Sequence, residues 1–217
     1  MDIILASGSP RRRELLTSAA LDFQTMSVDI DESPLAHESP QDYIQRMVAS
    51  KAETAIKLLN NDDINAPVEW SDAFIILSAD TIGVLPDGKT ILVKPIDREH
   101  AYRMWQQMSD NTHQVWTAVQ ATLVTRDHKS LIATWQQQII ERTAVSFVPL
   151  TSVMMSDYWA SGEPADKAGA YAIQGLAAAW VTRINGSYTN VVGLPLAQTL
   201  ALIDKASIEY SRQSAID

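Results

Sequence analysis

Short apolar runs along the chain predict the strands of a sheet. Residues 3–6 and 73–79 are apolar almost without interruption, which is typical of strands that are buried on both faces. Residues 23–28 alternate between apolar and polar side chains, as a strand with one exposed face does. Further strands are predicted over residues 114–125, 130–148 and 178–184.

Helix-start signals stand before most of the remaining apolar positions. Ser9 and Ser39 are each followed by proline, and Asp97 can also cap a helix. A short helix is also predicted over residues 151–160, where Gly162 follows its end, and a last helix is predicted to begin at Pro195. The two clearest helices have apolar faces, formed by Tyr43, Ile44, Met47, Val48 and Leu58 in one and by Ala101, Met104, Trp105 and Met108 in the other.

This alternation of helices and strands indicates an α/β or α+β protein. The 217 residues fit one domain or two closely joined lobes, and the polar residues 60–72 are the best internal boundary. Cysteine is absent, which excludes disulfides, thiolate metal sites and a cysteine nucleophile. The apolar stretch at residues 3–6 is too short for a signal peptide, and nothing approaches a membrane span, so we expect a cytoplasmic protein.

The net charge of −9, from 26 acidic and 17 basic residues, argues against a nucleic-acid polymer as partner. It leaves room for a small phosphorylated ligand. Ser9 and Pro10 are predicted to begin a helix whose unpaired N–H groups form an anion site beside Arg11, Arg12 and Arg13. The alternative is a capped helix whose arginines are simply solvated.

Residues 83–90 match the pattern of a phosphate-binding P-loop, but the context is wrong for one. A P-loop needs its Lys-Thr pair to begin a helix, whereas Lys89 and Thr90 precede β-branched residues and Pro95. The segment instead predicts a hairpin with a Pro-Asp-Gly turn. A P-loop enzyme would require Lys89, so retained activity without that lysine would exclude it.

Several other polar residues are candidates for binding or chemistry. Asp80 ends a predicted buried strand, where α/β sheets place ligands, although it could equally cap a turn. Glu32 offers a second oxygen donor for Mg²⁺ or Mn²⁺, or is a surface charge. Lys94 and Lys167 lie in turns and are either solvated or functional. The amide of Gln174 can recognise the edge of a base or organise its loop.

Asp80, Lys94, Lys167 and Gln174 fall within five ordered segments that span nearly the whole chain. The segments are Ser-Gly-Ser-Pro-Arg-Arg at 7–12, Ala-Asp-Thr at 79–81, Lys-Pro at 94–95, and the longer runs 161–175 and 185–196. Together they resemble the Maf family of nucleoside triphosphate pyrophosphatases. The resemblance implies a single α/β domain over residues 1–217, with a mixed sheet and a fold related to that of the inosine triphosphate pyrophosphatases. It also implies a deep nucleotide-binding cleft, around which the domain can form two lobes.

The resemblance also implies an activity and its residues. A Maf protein hydrolyses a nucleoside triphosphate between the α and β phosphates with a divalent metal, giving the monophosphate and pyrophosphate. The residues carried over by position are Asp80 as catalytic base; Arg11, Thr81 and Gln174 for specificity; Glu32 and Asp80 for the metal; and Ser7, Ser9, Arg12, Lys51, Lys94 and Lys167 for phosphates. A homodimer is expected on the same ground.

The segment around Gln174 is similar to the branch of the family that acts on dTTP and UTP. The sister branch, which prefers 7-methyl-GTP, typically has glutamate at this position. A neutral amide matches the donor and acceptor on a thymine or uracil edge, whereas a carboxylate favours a positively charged methylated purine. Two alternatives stay open: a 7-methyl-GTP enzyme, and a nucleotide-binding regulator of cell division with little turnover.

Overall fold

The computed structural model describes residues 1–61, 71–128 and 130–215. Its strands are β1 (Asp2–Ala6), β2 (Gln24–Met26), β3 (Ala73–Val84), β4 (Ile91–Leu92), β5 (Thr112–Asp127), β6 (Ser130–Phe147) and β7 (Val181–Asn185). Its α-helices are α1 (Pro10–Ser18), α2 (Pro40–Asn60), α3 (Arg98–Met108), α4 (Ser152–Ala160), α5 (Tyr188–Val192) and α6 (Leu196–Gln213). Short 3₁₀ segments lie between α4 and β7.

The strands form a mixed sheet in the order β2-β1-β3-β5-β6-β7, with β4 paired to β3 off this path. β1 is parallel to both β2 and β3, whereas β4 is antiparallel to β3 and β7 is antiparallel to β6. The prediction of an α/β fold with a mixed sheet is therefore confirmed. None of the helices within the described ranges has the length and apolar content needed to traverse a bilayer.

The chain divides into two compact units. Unit 1 consists of Met1–Asp80, Ala118–Ile140 and Leu194–Asp217, and unit 2 consists of Thr81–Thr117 and Glu141–Gly193. Strands β3, β5 and β6 contribute residues to both units.

In unit 1 the alternation of side chains along the central strands builds two apolar layers. Ile3 and Leu5 of β1 share one layer with Ile75 and Leu77 of β3, and α1 and α6 cover it with Leu16, Leu202 and Ile203. Ile4 of β1 shares the other layer with Phe74 and Ile76, covered by α2 through Ala52, Ala55 and Leu59. Both faces are covered, which is why residues 3–6 and 73–79 are almost entirely apolar.

Unit 2 is organised around aromatic side chains. Trp105 of α3 is fully buried, and its ring centroid lies 5.3 Å from that of Trp180 and 5.5 Å from that of Tyr158. Its indole N–H donates to the carbonyl oxygens of Gly169 and Ala170, both at 3.2 Å. Helix α3 thereby anchors the glycine-rich segment that precedes β7.

The structure corrects several predicted boundaries. β3 does not end at Asp80 but continues through Thr81 to Val84, because Gly83 and Val84 pair with Leu92 and Ile91 of β4. The predicted strand 178–184 begins only at Val181, after a 3₁₀ turn. Leu58 of α2 packs against the core as predicted and is partly buried, and the neighbouring Leu59 is buried as well. Most of the predicted polar loop 60–72 lies outside the described residues.

Candidate functional site

The turn between β1 and α1 is built around the hydroxyl of Ser7. This buried oxygen accepts a hydrogen bond from Nη1 of Arg12 at 3.0 Å and another from the backbone N–H of Ser9 at 3.3 Å. Ser9 occupies the N-cap position and Pro10 the first turn, as predicted, but the Ser9 side chain makes no capping bond. The start of α1 therefore keeps backbone N–H groups that an anion can accept from.

Lys51 joins the two predicted metal ligands. Its Nζ lies 2.5 Å from Oδ1 of Asp80 and 3.1 Å from Oε1 of Glu32. The lysine and Asp80 side chains are only 10% and 14% exposed, whereas Glu32 is 52% exposed. A lysine buried to this degree needs such partners, since an unpaired ammonium would be strongly destabilising.

Two hydrogen bonds outside the predicted set hold this group in place. The buried hydroxyl of Ser78 donates to the carbonyl oxygen of Val48 at 2.7 Å, which ties β3 to α2 close to Asp80 and Lys51. The hydroxyl of Tyr43 donates to the carbonyl oxygen of Glu32 at 3.0 Å. Sequence reasoning placed Tyr43 only on an apolar face, although a tyrosine there signals a hydroxyl that needs a partner.

The loop that carries Glu32 is clamped from helix α2. Arg46 donates two hydrogen bonds to the Glu38 carboxylate, at 2.6 and 2.7 Å, and a third to the carbonyl oxygen of Ser33 at 3.0 Å. The Glu38 carboxylate also accepts the N–H of Leu35 at 3.0 Å. Glu32, although exposed, therefore lies in a segment with a defined backbone path.

The charges of this group act on the titration of neighbouring side chains. Burial lowers the pKa of the Arg12 guanidinium, and the negative charges of Asp80 and Glu32 act in the opposite direction. Burial also raises the pKa of Tyr43 to about 12, with the same two carboxylates contributing. Tyr43 thus stays protonated as a donor to Glu32 throughout the neutral range.

Thr81 follows Asp80 in the chain and belongs to unit 2, where a polar network supports it. Its hydroxyl lies 3.0 Å from the hydroxyl of Thr117, which donates to the carbonyl oxygen of Asn190 at 3.0 Å. Asn190 is fully buried, and its Nδ2 donates to the carbonyl oxygen of Val115 and the hydroxyl of Thr143, both at 2.9 Å. Sequence reasoning missed Thr117 and Asn190 as supports of Thr81.

Lys94, Lys167 and Gln174 also lie in unit 2. Lys94 is exposed, and the preceding residue, Val93, accepts the N–H of Gly169 at 3.0 Å. Lys167 is partly buried and donates to the carbonyl oxygen of Glu163 at 2.8 Å. Gln174 is exposed between the buried Ile173 and the partly buried Gly175. The segment of Lys94 is thus adjacent to the segment of Lys167 in unit 2.

The predicted residues that share unit 1 form two bonded groups. Hydrogen bonds or ion pairs link Ser7 with Arg12 and link Lys51 with Glu32 and Asp80. Arg11 is exposed on the first turn of α1. The phosphate, metal and specificity roles assigned to all of these side chains stay predictions.

The donor set of this group fits a divalent metal. Oxygens of Asp80 and Glu32 already share one cation, the Lys51 ammonium, so both can reach a common positive charge. Across the described ranges no cluster of three or more metal-ligating side chains exists. Mg²⁺ is commonly held by one or two carboxylates, with waters and substrate phosphates as the remaining ligands, and two carboxylates meet that need.

The fold and the site together define an α/β protein that places a helix N-terminus and two buried cations near a pair of carboxylates. The chain belongs to the Maf family, since the model of Maf-like proteins matches residues 2–206. A dTTP/UTP pyrophosphatase of Psychrobacter cryohalolentis is 66% identical, with 94% of this chain and 96% of the relative covered. One of Psychrobacter arcticus is 64% identical, with 94% of each chain covered.

The similarity extends to relatives of lower identity. A dTTP/UTP pyrophosphatase of Pseudoalteromonas atlantica is 40% identical over 96% of this chain and 98% of its own length. Among solved structures, the Ham1 protein of Staphylococcus aureus has a TM-score of 0.39 and 10% identity, covering 68% of this chain and 72% of its own. The family assignment rests on the sequence matches alone.

Proposed function

We propose that this protein hydrolyses dTTP and UTP to the monophosphate and pyrophosphate. The observation that carries the proposal is the Lys51 ammonium held between the carboxylates of Asp80 and Glu32. This contact supports a site in which Asp80 acts as the base, both carboxylates hold the metal and Lys51 binds phosphate. The names of the relatives at 64–66% identity support the same reaction and the same bases. The reaction class is hydrolysis of a phosphoanhydride bond.

The phosphates are assigned to the start of α1 and its neighbours. The N–H groups of the first turn and the Arg12 guanidinium, fixed by Ser7, supply donors for phosphate oxygens. The hydroxyl of Ser9 is not used for capping and adds a further donor. Lys51 has three N–H donors, so it can hold both carboxylates and still donate to a phosphate. Lys94 and Lys167 are proposed as further phosphate contacts.

Asp80 is proposed as the general base. Among its contacts with the described residues, only Oδ1 is engaged, by Lys51, and Oδ2 is left to accept a proton from the attacking water. Asp80 and Glu32 would hold Mg²⁺ or Mn²⁺, which when bound neutralises phosphate charge and lowers the pKa of water. Arg12 and Lys51 stabilise the pyrophosphate that leaves, through fixed positive charge.

Base selectivity is assigned to Thr81, Gln174 and Arg11. The side-chain amide of Gln174 offers one acceptor and two donors, which matches the N–H and carbonyl groups on the edge of thymine or uracil. Thr81 is supported by Thr117 and the carbonyl oxygen of Gly193, at 3.4 Å. Its hydroxyl therefore has a restricted orientation.

The test is pyrophosphate release from a panel of dTTP, UTP, CTP, ATP, GTP and 7-methyl-GTP, with Mg²⁺ or Mn²⁺. We expect the highest kcat/KM for dTTP and UTP. A preference for 7-methyl-GTP would retain the reaction and overturn the assignment of the base. Binding of dTTP without release of pyrophosphate would instead identify a nucleotide-binding regulator.

Three further expectations accompany this function. The divalent metal is tested by chelation, the homodimer by light scattering at twice the mass of one chain, and the cytoplasmic location by fractionation of cells. A monomer in solution at micromolar concentration would contradict the expected dimer. Each of these results is independent of the nucleotide panel.

A further inference from the structure

Gln174 lies in a tight turn whose two ends are joined by side chains outside it. The turn, residues 172–175, is closed by a hydrogen bond from the N–H of Gly175 to the carbonyl oxygen of Ala172 at 3.1 Å. Ile173 is buried beneath it, whereas the side chain of Gln174 is exposed. The direction of the Gln174 amide therefore depends on how firmly this turn is held.

The hydroxyl of Tyr158 holds the first end of the turn. It accepts the N–H of Ala172 at 3.1 Å and donates to Oε1 of Glu163 at 2.7 Å. Tyr158 is itself buried, and its ring lies 4.7 Å from that of Trp180 and 5.5 Å from that of Trp105. Burial and the bond to Glu163 raise the pKa of Tyr158, so the hydroxyl remains a donor at all working pH values.

The carboxylate of Glu163 holds the second end. Its Oε2 accepts the N–H of Leu176, immediately after the turn, at 3.1 Å. Gly175 lies so close that a Cβ on this residue would collide with both carboxylate oxygens. A continuous chain of hydrogen bonds thus runs from Ala172 through Tyr158 and Glu163 to Leu176, and it spans the residue that is proposed to recognise the base.

The backbone of Glu163 is fixed as well. Its N–H donates to the hydroxyl of Ser161 at 3.2 Å, and its carbonyl oxygen accepts from Nζ of Lys167 at 2.8 Å. Lys167, which sequence reasoning assigned to phosphate binding, therefore contacts the residue that supports the turn. A carboxylate whose own backbone is anchored can fix a neighbouring segment.

We propose that Tyr158 and Glu163 are positioning residues that set base selectivity by fixing the turn that carries Gln174, an inference that rests on the proposed function. The two side chains contact neither the phosphates nor the metal in this scheme. They act by limiting the directions in which the Gln174 amide can present its donor and acceptors. Their loss affects the discrimination between bases more than the chemical step.

The experiment compares kcat and KM for dTTP and dCTP, whose pyrimidine edges differ in donor and acceptor pattern. The variants are Tyr158→Phe, which removes the hydroxyl, and Glu163→Gln, whose amide can accept only one of the two hydrogen bonds. We expect the dTTP/dCTP ratio of kcat/KM to fall about tenfold in each, as after loss of a charge-assisted hydrogen bond. The change should lie mainly in the KM for dTTP, with kcat altered less than about threefold.

Matched controls separate positioning from general loosening of unit 2. Tyr171→Phe removes another buried hydroxyl of the same unit, which is bonded to His113 at 2.7 Å, and Glu99→Gln neutralises an exposed glutamate. Both should keep the wild-type dTTP/dCTP ratio. The double variant Tyr158→Phe/Glu163→Gln should lose no more selectivity than the more affected single variant, because both interrupt one chain of bonds.

The outcomes distinguish the inference from the function on which it rests. If Gln174→Ala lowers the ratio while Tyr158→Phe and Glu163→Gln stay within twofold of wild type, the positioning role is wrong and the function stands. If Tyr171→Phe lowers the ratio equally, the effect is general and the inference is overturned. A wild type that does not distinguish dTTP from dCTP refutes the inference, and one that releases no pyrophosphate from dTTP or UTP refutes the function as well. Should Tyr158→Phe not fold, Gly175→Ala displaces the Glu163 carboxylate and gives the same test.

Discussion

At the scale of single residues, the site depends on charged side chains placed where apolar ones would be expected. Lys51 lies on the buried side of α2, three residues after Val48 and four after Met47, and Arg12 is 9% exposed on α1. That spacing could have predicted that Lys51 is buried. It could not have predicted the partners, because Glu32 and Asp80 are distant in sequence and the fold brings them together.

Asp80→Asn should remove most turnover while leaving the fold intact. The amide keeps the shape of the side chain but cannot accept the proton of the attacking water, so kcat should fall by about 10²–10⁴-fold. Pyrophosphate release measures the loss, and circular dichroism and thermal unfolding serve as the control for folding. Near-normal kcat in a folded variant would exclude Asp80 as the base.

His113 makes stability depend on pH. It is fully buried, it lies 2.7 Å from the hydroxyl of Tyr171, and burial lowers its pKa to about 4. Between its ordinary pKa near 6.5 and pH 4, the unfolded chain binds a proton that the folded chain does not, so stability falls as the pH falls through this window. The loss is at most about 3 kcal/mol, from about 1.4 kcal/mol per pKa unit.

The measurement is urea unfolding of the wild type and of His113→Leu at several pH values from 7 to 4. Carboxylates titrate in both proteins, so the informative quantity is the difference between their free energies of unfolding. That difference should shift in favour of the variant as the pH falls below 6.5. A constant difference across the range would show that His113 does not titrate differently on folding.

At the scale of elements, patterns predicted which segments are helices and strands better than where they end. The apolar positions of α3 that were expected at helical spacing, Ala101, Met104, Trp105 and Met108, are all buried, and Asp97 accepts the N–H of His100 at 2.7 Å as its cap. The end of β3 was missed because Asp80 and Thr81 interrupt the apolar run, although the strand continues through them. The five-residue helix α5 is too short for periodicity to signal.

Loss of the hydrogen bonds from Arg46 to the loop of Glu32 should weaken metal binding specifically. Arg46→Met should release Glu38 and Ser33 and leave Glu32 on a less ordered segment, because all three hydrogen bonds from the guanidinium are lost. We expect the metal concentration for half-maximal activity to rise about tenfold, at the lower end of the effect found when supports of metal ligands are removed. A titration of activity with Mg²⁺ or Mn²⁺ measures this change.

Arg98→Met is the matched control for that variant, since Arg98 donates to the hydroxyl of the nearby Tyr102 on a surface helix of unit 2. It should leave the metal titration unchanged. A shift of similar size in both variants would show that the loop clamp has no particular role in metal binding.

At the scale of the whole molecule, the residues of the proposed function are distributed over both units. Ser7, Arg12, Glu32, Lys51 and Asp80 belong to unit 1, whereas Thr81, Lys94, Lys167 and Gln174 belong to unit 2. The resemblance to a family supplied this set in one step, since no local pattern joins segments so far apart in sequence. It did not supply Tyr43, Ser78, Thr117 or Asn190, whose roles depend on contacts with backbone atoms.

Chelation of metal should abolish activity without unfolding the protein. Only two carboxylates are proposed to hold the metal, and Lys51 already compensates their charge, so the fold does not depend on the ion. With EDTA we expect no pyrophosphate release and a thermal midpoint within about 2 °C of that measured with Mg²⁺. The midpoint rises only as far as the ion binds the folded chain, and two carboxylates bind it weakly in the absence of substrate phosphates. A large fall in the midpoint would instead indicate a structural metal.

The absence of a side chain at Gly175 restricts which substitutions the turn of Gln174 can accept. Every other amino acid carries a Cβ, so any missense change at this codon displaces the Glu163 carboxylate from the N–H of Leu176 and the hydroxyl of Tyr158. By contrast, a Cβ at Gly88 or Gly162 meets no atom within 4 Å, and the restriction there concerns the backbone angle alone. A substitution at position 175 is therefore expected to cost the two hydrogen bonds of this carboxylate, and a saturation library selected for dTTP over dCTP should be enriched in glycine there.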